Sequence, residues 1–93
     1  MKFIWDEEKN IINVEKHNIS FEKATEAWSD PLSFDLYDTN HSLINEDRWF
    51  RFGKLRSGEI IRVVYTEISD DLSRIITAYS SKTIERIYND ENN

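Results

Sequence analysis

The chain contains no cysteine, only two glycines and one proline, and no long hydrophobic run. Without cysteine, neither a disulfide framework nor a thiolate metal site is possible, which is compatible with a reducing cytosol. Two histidines are few for a zinc site, so we predict no metal and no other cofactor. No apolar stretch reaches the length of a membrane span, and the N-terminus lacks the hydrophobic core of a signal peptide. These absences predict a cytoplasmic protein with no membrane partner.

The composition suits one small domain. The chain has 93 residues, of which 39% are hydrophobic and 13% are aromatic. A domain of this size buries a modest fraction of its unfolded surface, so Trp5, Trp28, Trp49 and the phenylalanines are expected to carry much of the burial. We therefore expect residues 1–93 to form a single domain.

Charge is unevenly distributed along the chain. The formal net charge of -6 argues against a nonspecific nucleic-acid binder. Cations are nevertheless concentrated in one stretch whose only acid is Glu59, and which contains Arg48, Arg51, Lys54, Arg56 and Arg62. Each of them alone is typical of a solvated surface, but together they predict a cationic strip that faces phosphate.

Residue patterns predict helices at both ends of the chain with strands between them. Asp6 suits the N-cap of a first helix, Asn18 its left-handed end, and Ser20 the cap of a second helix that runs to about Trp28. Alternation predicts a short strand over 32–36 and longer strands over 48–53, 59–67 and 72–79, before a final helix over about 81–88. The short connections predict an α+β fold: an antiparallel sheet of about four strands with two N-terminal helices and one C-terminal helix packed on it.

The first helix is predicted to be amphipathic. Its apolar side contains Ile11, Ile12 and Val14, which we expect to be buried. Lys9, Asn13 and Lys16 follow one another at the spacing that brings side chains together on the other side. Asn13 is equally suited to hold a neighbouring strand, and the lysines are equally suited to lie over Trp5.

An ordered series of short motifs covers nearly the whole chain. The motifs are Trp5-Asp6 with Lys9, Asn13 and Lys16-His17, then Asp30-Pro31, Asp38, His41-Ser42, Glu46-x-Arg48-Trp49, Gly53, Val63-Val64-Tyr65-Thr66-Glu67 and Arg74-Ile75-Ile76-Thr77-Ala78. This series resembles the BrnT family, the ribonuclease toxins of type II toxin-antitoxin systems. The resemblance implies a RelE-like fold, an RNA substrate, inhibition of translation, and a BrnA-like antitoxin through which a higher-order complex binds operator DNA.

Cleavage of RNA without a metal needs a base for the 2'-hydroxyl, an acid for the leaving oxygen and cations for the phosphate. The catalytic candidates are Lys16, His17, Glu67, Arg74 and Tyr79, whose side chains suit these roles; Lys16, like Lys9 and Asn13 below, is a candidate only through the resemblance. The RNA-binding candidates are Lys9, Asn13, His41, Arg48, Arg51 and Arg62.

Most of these candidates have a structural alternative. A protonated His17 gains from the dipole at a helix C-terminus whether or not it is catalytic, and His41 lies in a polar loop over 38–47. Arg74 can pair with Asp70 or Asp71, and Arg48 can pair with Glu46. Relatives in the family commonly have arginine where Tyr79 stands. The alternative function is therefore a noncatalytic protein-binding module, or a degenerate toxin that retains only antitoxin binding.

Overall fold

The computed structural model describes residues 1–42 and 46–93. Its helices are α1 (Glu7–His17), α2 (Phe21–Ala24), which a 3-10 helix (Thr25–Ser29) continues, and α3 (Lys82–Glu91). Its strands are β1 (Lys2–Ile4), β2 (Phe34–Tyr37), β3 (Arg48–Lys54), β4 (Ile60–Ser69) and β5 (Leu72–Tyr79). In the loop predicted over 38–47, residues 43–45 lie outside the described residues. None of the described helices is long and apolar enough to cross a membrane.

The described strands form one mixed sheet in the order β1-β5-β4-β3-β2. The strands β2 to β5 are an antiparallel meander, as predicted. The prediction of about four antiparallel strands is nevertheless wrong, because β1 adds a fifth strand that runs parallel to β5, from Lys2↔Leu72 to Ile4↔Arg74. Three residues are too few to show an alternating pattern, and their partner strand lies near the other end of the chain.

The predicted caps of the first two helices are confirmed. The Asp6 carboxylate accepts hydrogen bonds from the N–H groups of Glu8 (2.9 Å) and Lys9 (3.4 Å). Asn18 ends α1 in the left-handed conformation with a φ of 56°, and the Ser20 hydroxyl accepts from Lys23 N–H at 3.0 Å. These contacts satisfy first-turn N–H groups that would otherwise have no partner, and they fix where α1 and α2 begin.

Apolar clusters cover both faces of the sheet. One cluster joins α2 and the 3-10 helix to β4 and β5, and Trp5 and Trp28 pack against it. The other joins α3 to β3 and β4 through Phe52, Ile84 and Tyr88. Gly53 allows the 3-10 helix to approach β3, because a Cβ atom there would lie 2.8 Å from the Cβ of Ala27. The sheet is thus the middle layer of the domain.

The predicted orientation of α1 is wrong. Ile11, Ile12 and Val14 are 52%, 47% and 40% exposed, and the one buried residue among those of α1 is Asn13. The helix lies along the edge of β5 beyond the last pair with β1, where backbone groups need hydrogen-bond partners. The Asn13 amide donates to the Ala78 carbonyl at 2.8 Å and accepts from the Ala78 N–H at 3.1 Å. Hydrogen bonding to a strand edge, rather than apolar burial, therefore orients this helix.

Candidate functional site

A groove runs between α1 and β5. Its wider part has a volume of about 270 Å³ and its narrower part a volume of about 160 Å³. Lys9 and Ile76 line both parts, so the two parts are continuous. We call this surface the α1–β5 groove, and its cationic and hydroxyl-bearing side chains are Lys9, Lys16, His17, Arg74 and Thr77.

The cations of this groove are exposed and carry no partner charge. Within residues 1–42 and 46–93, Lys9, Lys16 and Arg74 form no ion pair. Asp71, one of the alternatives for Arg74, lies 3.5 Å from the amino group of Met1 instead. Unpaired cations in a row create a local positive potential even on an acidic protein. Asp6 also lines the groove, but its carboxylate caps the first turn of α1, and the excess of cations makes the groove suited to a polyanion.

The groove is long relative to one phosphate group. Lys9 and Lys16 are seven residues apart on α1, or about 10 Å at the rise of a helix. Arg74 and Tyr79 are five residues apart on β5, or about 16 Å at the rise of a strand. The two ends of the groove therefore contact different parts of any extended ligand.

Three of the predicted residues meet at the end of the groove where α1 stops. The rings of His17 and Tyr79 have centroids 5.6 Å apart. Arg62 Nη2 donates a hydrogen bond to Tyr79 Oη, and the Arg62 guanidinium lies 4.8 Å from the centroid of the Tyr79 ring. Because the Tyr79 oxygen accepts from Arg62, its own proton remains free to be donated elsewhere.

Arg62 is a half-buried cation with no carboxylate partner in the described part of the chain. Its guanidinium lies 4.4 Å from the centroid of the Phe50 ring, and its Nε is buried with no hydrogen-bond partner. Burial lowers the pKa of Arg62, and the negative charge of Asp38 partly opposes this effect. Since arginine stays protonated in proteins, the group is a partly desolvated positive charge that an anion would compensate.

The predicted cationic strip from Arg48 to Arg62 is not one surface. Arg51 pairs with Asp35 through two hydrogen bonds of 2.8 and 3.0 Å, and Arg48 lies 3.4 Å from Glu46. The cross-strand register places Asp35 directly opposite Arg51, and alternation puts Arg48 on the other face of the sheet. The expectation of a strip is therefore wrong, and the charges of Arg48 and Arg51 are already engaged.

Two further candidates lie away from the groove. His41 follows β2 at the opposite edge of the sheet, and its Nδ1 lies 3.1 Å from Asp38 Oδ2. Burial by itself raises the pKa of Asp38, but hydrogen bonds from the His41 ring and from the N–H groups of Asn40 and His41 give a net lowering. Glu67 lies near the end of β4 and lines a separate groove with Arg74.

Asn13 forms part of the floor of the narrower end of the groove, where it is only 4% exposed. Besides its two bonds to Ala78, its amide donates to the Ile19 carbonyl at 2.8 Å and accepts from the Thr77 hydroxyl at 3.1 Å. These four bonds use both of its donors and both acceptor positions. The structure therefore favours the alternative in which Asn13 holds a strand.

Sequence reasoning missed part of the groove wall. Val64 pairs with Thr77 and Tyr65 pairs with Ile75, so Ile76 is an extra residue in a β-bulge. The bulge changes which side chains of β5 face α1 and places Ile76 and Thr77 in the groove. Strict alternation along the sequence carries no signal for such an insertion.

Comparisons with known proteins agree on one family. The family model described as the ribonuclease toxin, BrnT, of type II toxin-antitoxin systems matches residues 5–85. The 1.1 Å crystal structure of the Brucella abortus ribonuclease toxin BrnT is similar to this chain with a TM-score of 0.67. The alignment has 24% sequence identity and covers 88% of this chain and 97% of that chain, which shows a shared fold. No protein of curated function matches the sequence.

Proposed function

The chain belongs to the BrnT family of ribonuclease toxins of type II toxin-antitoxin systems, and we propose that its RNA substrate binds in the α1–β5 groove. The observation that carries this proposal is the row of exposed cations, Lys9, Lys16 and Arg74, which have no partner charge within the described residues. Protein–RNA affinity comes largely from such contacts with phosphate.

The reaction we propose takes place at the end of the groove that carries His17 and Tyr79. The 2'-oxygen of the RNA forms a bond to phosphorus while the bond from phosphorus to the 5'-oxygen breaks. His17 takes the proton of the 2'-hydroxyl, and Tyr79 donates its proton to the departing 5'-oxygen. The Tyr79 proton is available for this step because Arg62 donates to the Tyr79 oxygen. Lys16 and Arg62 stabilise the negative charge that develops on the phosphate.

Arg74 and Lys9 have a different task in this proposal. The backbone distance of about 16 Å between Arg74 and Tyr79 is too long for both to hold the reacting phosphate. Arg74 and Lys9 bind a neighbouring phosphate of the same strand, and so set its position in the groove. We therefore expect Arg74 to act mainly on substrate binding.

Several finer properties follow from the motif resemblance and are part of the proposal. The cleavage is metal-independent, since the groove supplies cationic side chains where a divalent ion would otherwise neutralise the phosphate. The toxin inhibits translation in the cytoplasm, its single domain is RelE-like, and its antitoxin is BrnA-like and carries the complex to operator DNA.

The two histidines provide a direct test. We expect the purified protein to cleave an RNA oligonucleotide in EDTA and to leave a 2',3'-cyclic phosphate. His17→Ala should lower kcat by about 100-fold or more, whereas the matched control His41→Ala should retain activity.

Loss of cleavage in EDTA with recovery in magnesium would contradict metal independence. Loss in His41→Ala but not in His17→Ala would move the site out of the groove. A protein that neither cleaves RNA nor arrests growth would be the noncatalytic module.

A further inference from the structure

The two parts of the α1–β5 groove differ in chemistry. Four apolar side chains line the wider part, and these are Ile4, Trp5, Ile75 and Ile76. The narrower part is lined mainly by polar and charged side chains, which are Lys9, Asn13, Lys16, His17 and Thr77. A phosphate group loses hydration against apolar walls without gaining a hydrogen bond there. The backbone of RNA therefore suits the narrower part, and the wider part suits a less polar group of the same strand.

Trp5 provides a fixed aromatic surface in the wider part. Its ring is half-buried and packs against the cluster that joins α2 to β4 and β5, with its centroid 6.1 Å from that of Phe21. Its Nε1 donates a hydrogen bond to Glu7 Oε2 at 3.2 Å. Because these contacts hold the indole before a ligand binds, a flat ring that packs against it does not have to order it first.

The size and charge of the wider part fit one nucleotide. Its volume of about 270 Å³ lies just below the range of about 300–1,000 Å³ that is usual for small-molecule pockets. Lys9 and Arg74 are exposed and also line it, so a phosphate attached to the bound ring meets cations. Asp6 caps α1 through its Oδ1 atom, which leaves Oδ2 to accept from an N–H group at the edge of the ring.

We propose that the wider part of the α1–β5 groove is a subsite for one unpaired nucleobase, which packs against Trp5 while Lys9 and Arg74 hold its phosphate. A base in a duplex is already paired and stacked, so only single-stranded RNA can place a base there. This inference rests on the proposed function, because it needs RNA in the groove. It adds that the toxin selects single strands and contacts a base near the cleaved bond.

The test separates the bases of the RNA from its backbone. One probe is a short 2'-O-methyl RNA, which cannot be cleaved because its 2'-oxygens carry no proton, and the other is the same backbone without bases. We expect the wild type to bind the intact probe at least about 10-fold more tightly than the base-free probe. In Trp5→Leu this ratio should fall to about threefold or less. In the matched control Trp49→Leu, whose indole lines the separate groove at the β4–β5 hairpin, the ratio should stay at the wild-type value.

A ratio that Trp5→Leu does not lower, or that Trp49→Leu lowers equally, would overturn the nucleobase subsite. Equal binding of both probes by the wild type would also overturn it. Weaker binding of both probes by Lys16→Ala would then still support the proposed function, because the groove would hold phosphate alone. If the wild type binds neither probe, both proposals fail. If Trp5→Leu does not fold, Ile4→Ser replaces it with Ile11→Ser as the control, at sites 38% and 52% exposed, and the same outcomes apply.

Discussion

Three arginines of β3 and the turn after it have carboxylate partners, whereas the cations of the α1–β5 groove have none in the described chain. Arg48, Arg51 and Arg56 lie 3.4, 2.8 and 3.8 Å from a carboxylate oxygen. Lys9 and Arg74 have no such neighbour among residues 1–42 and 46–93. The difference shows that the number of cations in a segment does not locate a phosphate-binding surface. What locates it is whether the fold brings acids to those cations.

Arg51 and Arg62 give the closest pair for this comparison. Each guanidinium lies over an aromatic ring, 4.8 Å from the centroid of Trp28 for Arg51 and 4.4 Å from that of Phe50 for Arg62. Arg51 also holds Asp35 through two hydrogen bonds, and Arg62 holds only the neutral Tyr79 hydroxyl. Arg51 therefore stabilises the fold, and Arg62 is available to an anion.

The largest expected effect is on stability, at Arg51. Arg51→Met leaves the Asp35 carboxylate without its partner at a site where the arginine side chain is only 18% exposed. We expect the free energy of unfolding to fall by about 3 kcal/mol. Arg62→Met leaves no carboxylate without a partner, so the free energy of unfolding should change by less than about 1 kcal/mol. Urea unfolding of both variants measures the difference, and equal losses would remove the distinction between the two arginines.

The next effect is on activity, at Arg74. In the proposed function Arg74 contacts a phosphate of the RNA, so we expect Arg74→Ala to lower kcat/KM about 30-fold, mostly through KM, with little change in the melting temperature. The matched control is Arg48→Ala, whose side chain is already paired with Glu46 and should matter much less. A parallel fall of melting temperature and activity in Arg74→Ala would instead favour a structural role.

Residue patterns were sufficient where local chemistry decides the structure. The caps at Asp6, Asn18 and Ser20 and the antiparallel meander were within reach of the sequence. The sequence did not predict the parallel strand β1, the bulge at Ile76 or the orientation of α1. Each of these depends on contacts with another element of the chain. The sequence did not predict the ion pair between Arg51 and Asp35 for the same reason. Asp35 and Arg51 are sixteen positions apart, and only the strand register brings them together.

A substitution at Tyr79 tests whether another cation beside Arg62 strengthens RNA binding or destabilises the fold. Tyr79 is half-buried against the cluster beneath α3 and is bonded to Arg62. Tyr79→Arg therefore places a second positive charge beside a desolvated one, and we expect a loss of about 2 kcal/mol in unfolding free energy. Tyr79→Phe keeps the ring and should be less destabilising. Unchanged stability with a steeper salt dependence of RNA binding in Tyr79→Arg would show that the site accepts the cation.

The smallest expected effect is on stability and concerns two tyrosine–carboxylate hydrogen bonds, one more exposed than the other. The Tyr88 hydroxyl donates to Asp30 at 2.6 Å and ties α3 to the segment after the 3-10 helix, while the Tyr37 hydroxyl donates to Asp47 at 2.8 Å on the surface. Burial, with the neighbouring Asp30 carboxylate, raises the pKa of Tyr88 to about 12. Burial by itself raises the pKa of Asp30, but hydrogen bonds from Tyr88 and from the N–H groups of Leu32 and Lys54 give a net lowering.

We expect Tyr88→Phe to lower the free energy of unfolding by about 1.5 kcal/mol at pH 7, and Tyr37→Phe by less than about 0.5 kcal/mol. The Asp30 contribution is present above its usual pKa of 3.8 and is lost as the pH falls through the lower folded value. The Tyr88 contribution is complete below its usual pKa of 10 and is lost as the pH rises toward 12. The difference between wild type and Tyr88→Phe should therefore be constant near neutrality and shrink at both extremes of pH. Urea unfolding across this pH range measures it, and a difference that does not change with pH would mean that the Tyr88 hydroxyl does not act through the Asp30 carboxylate.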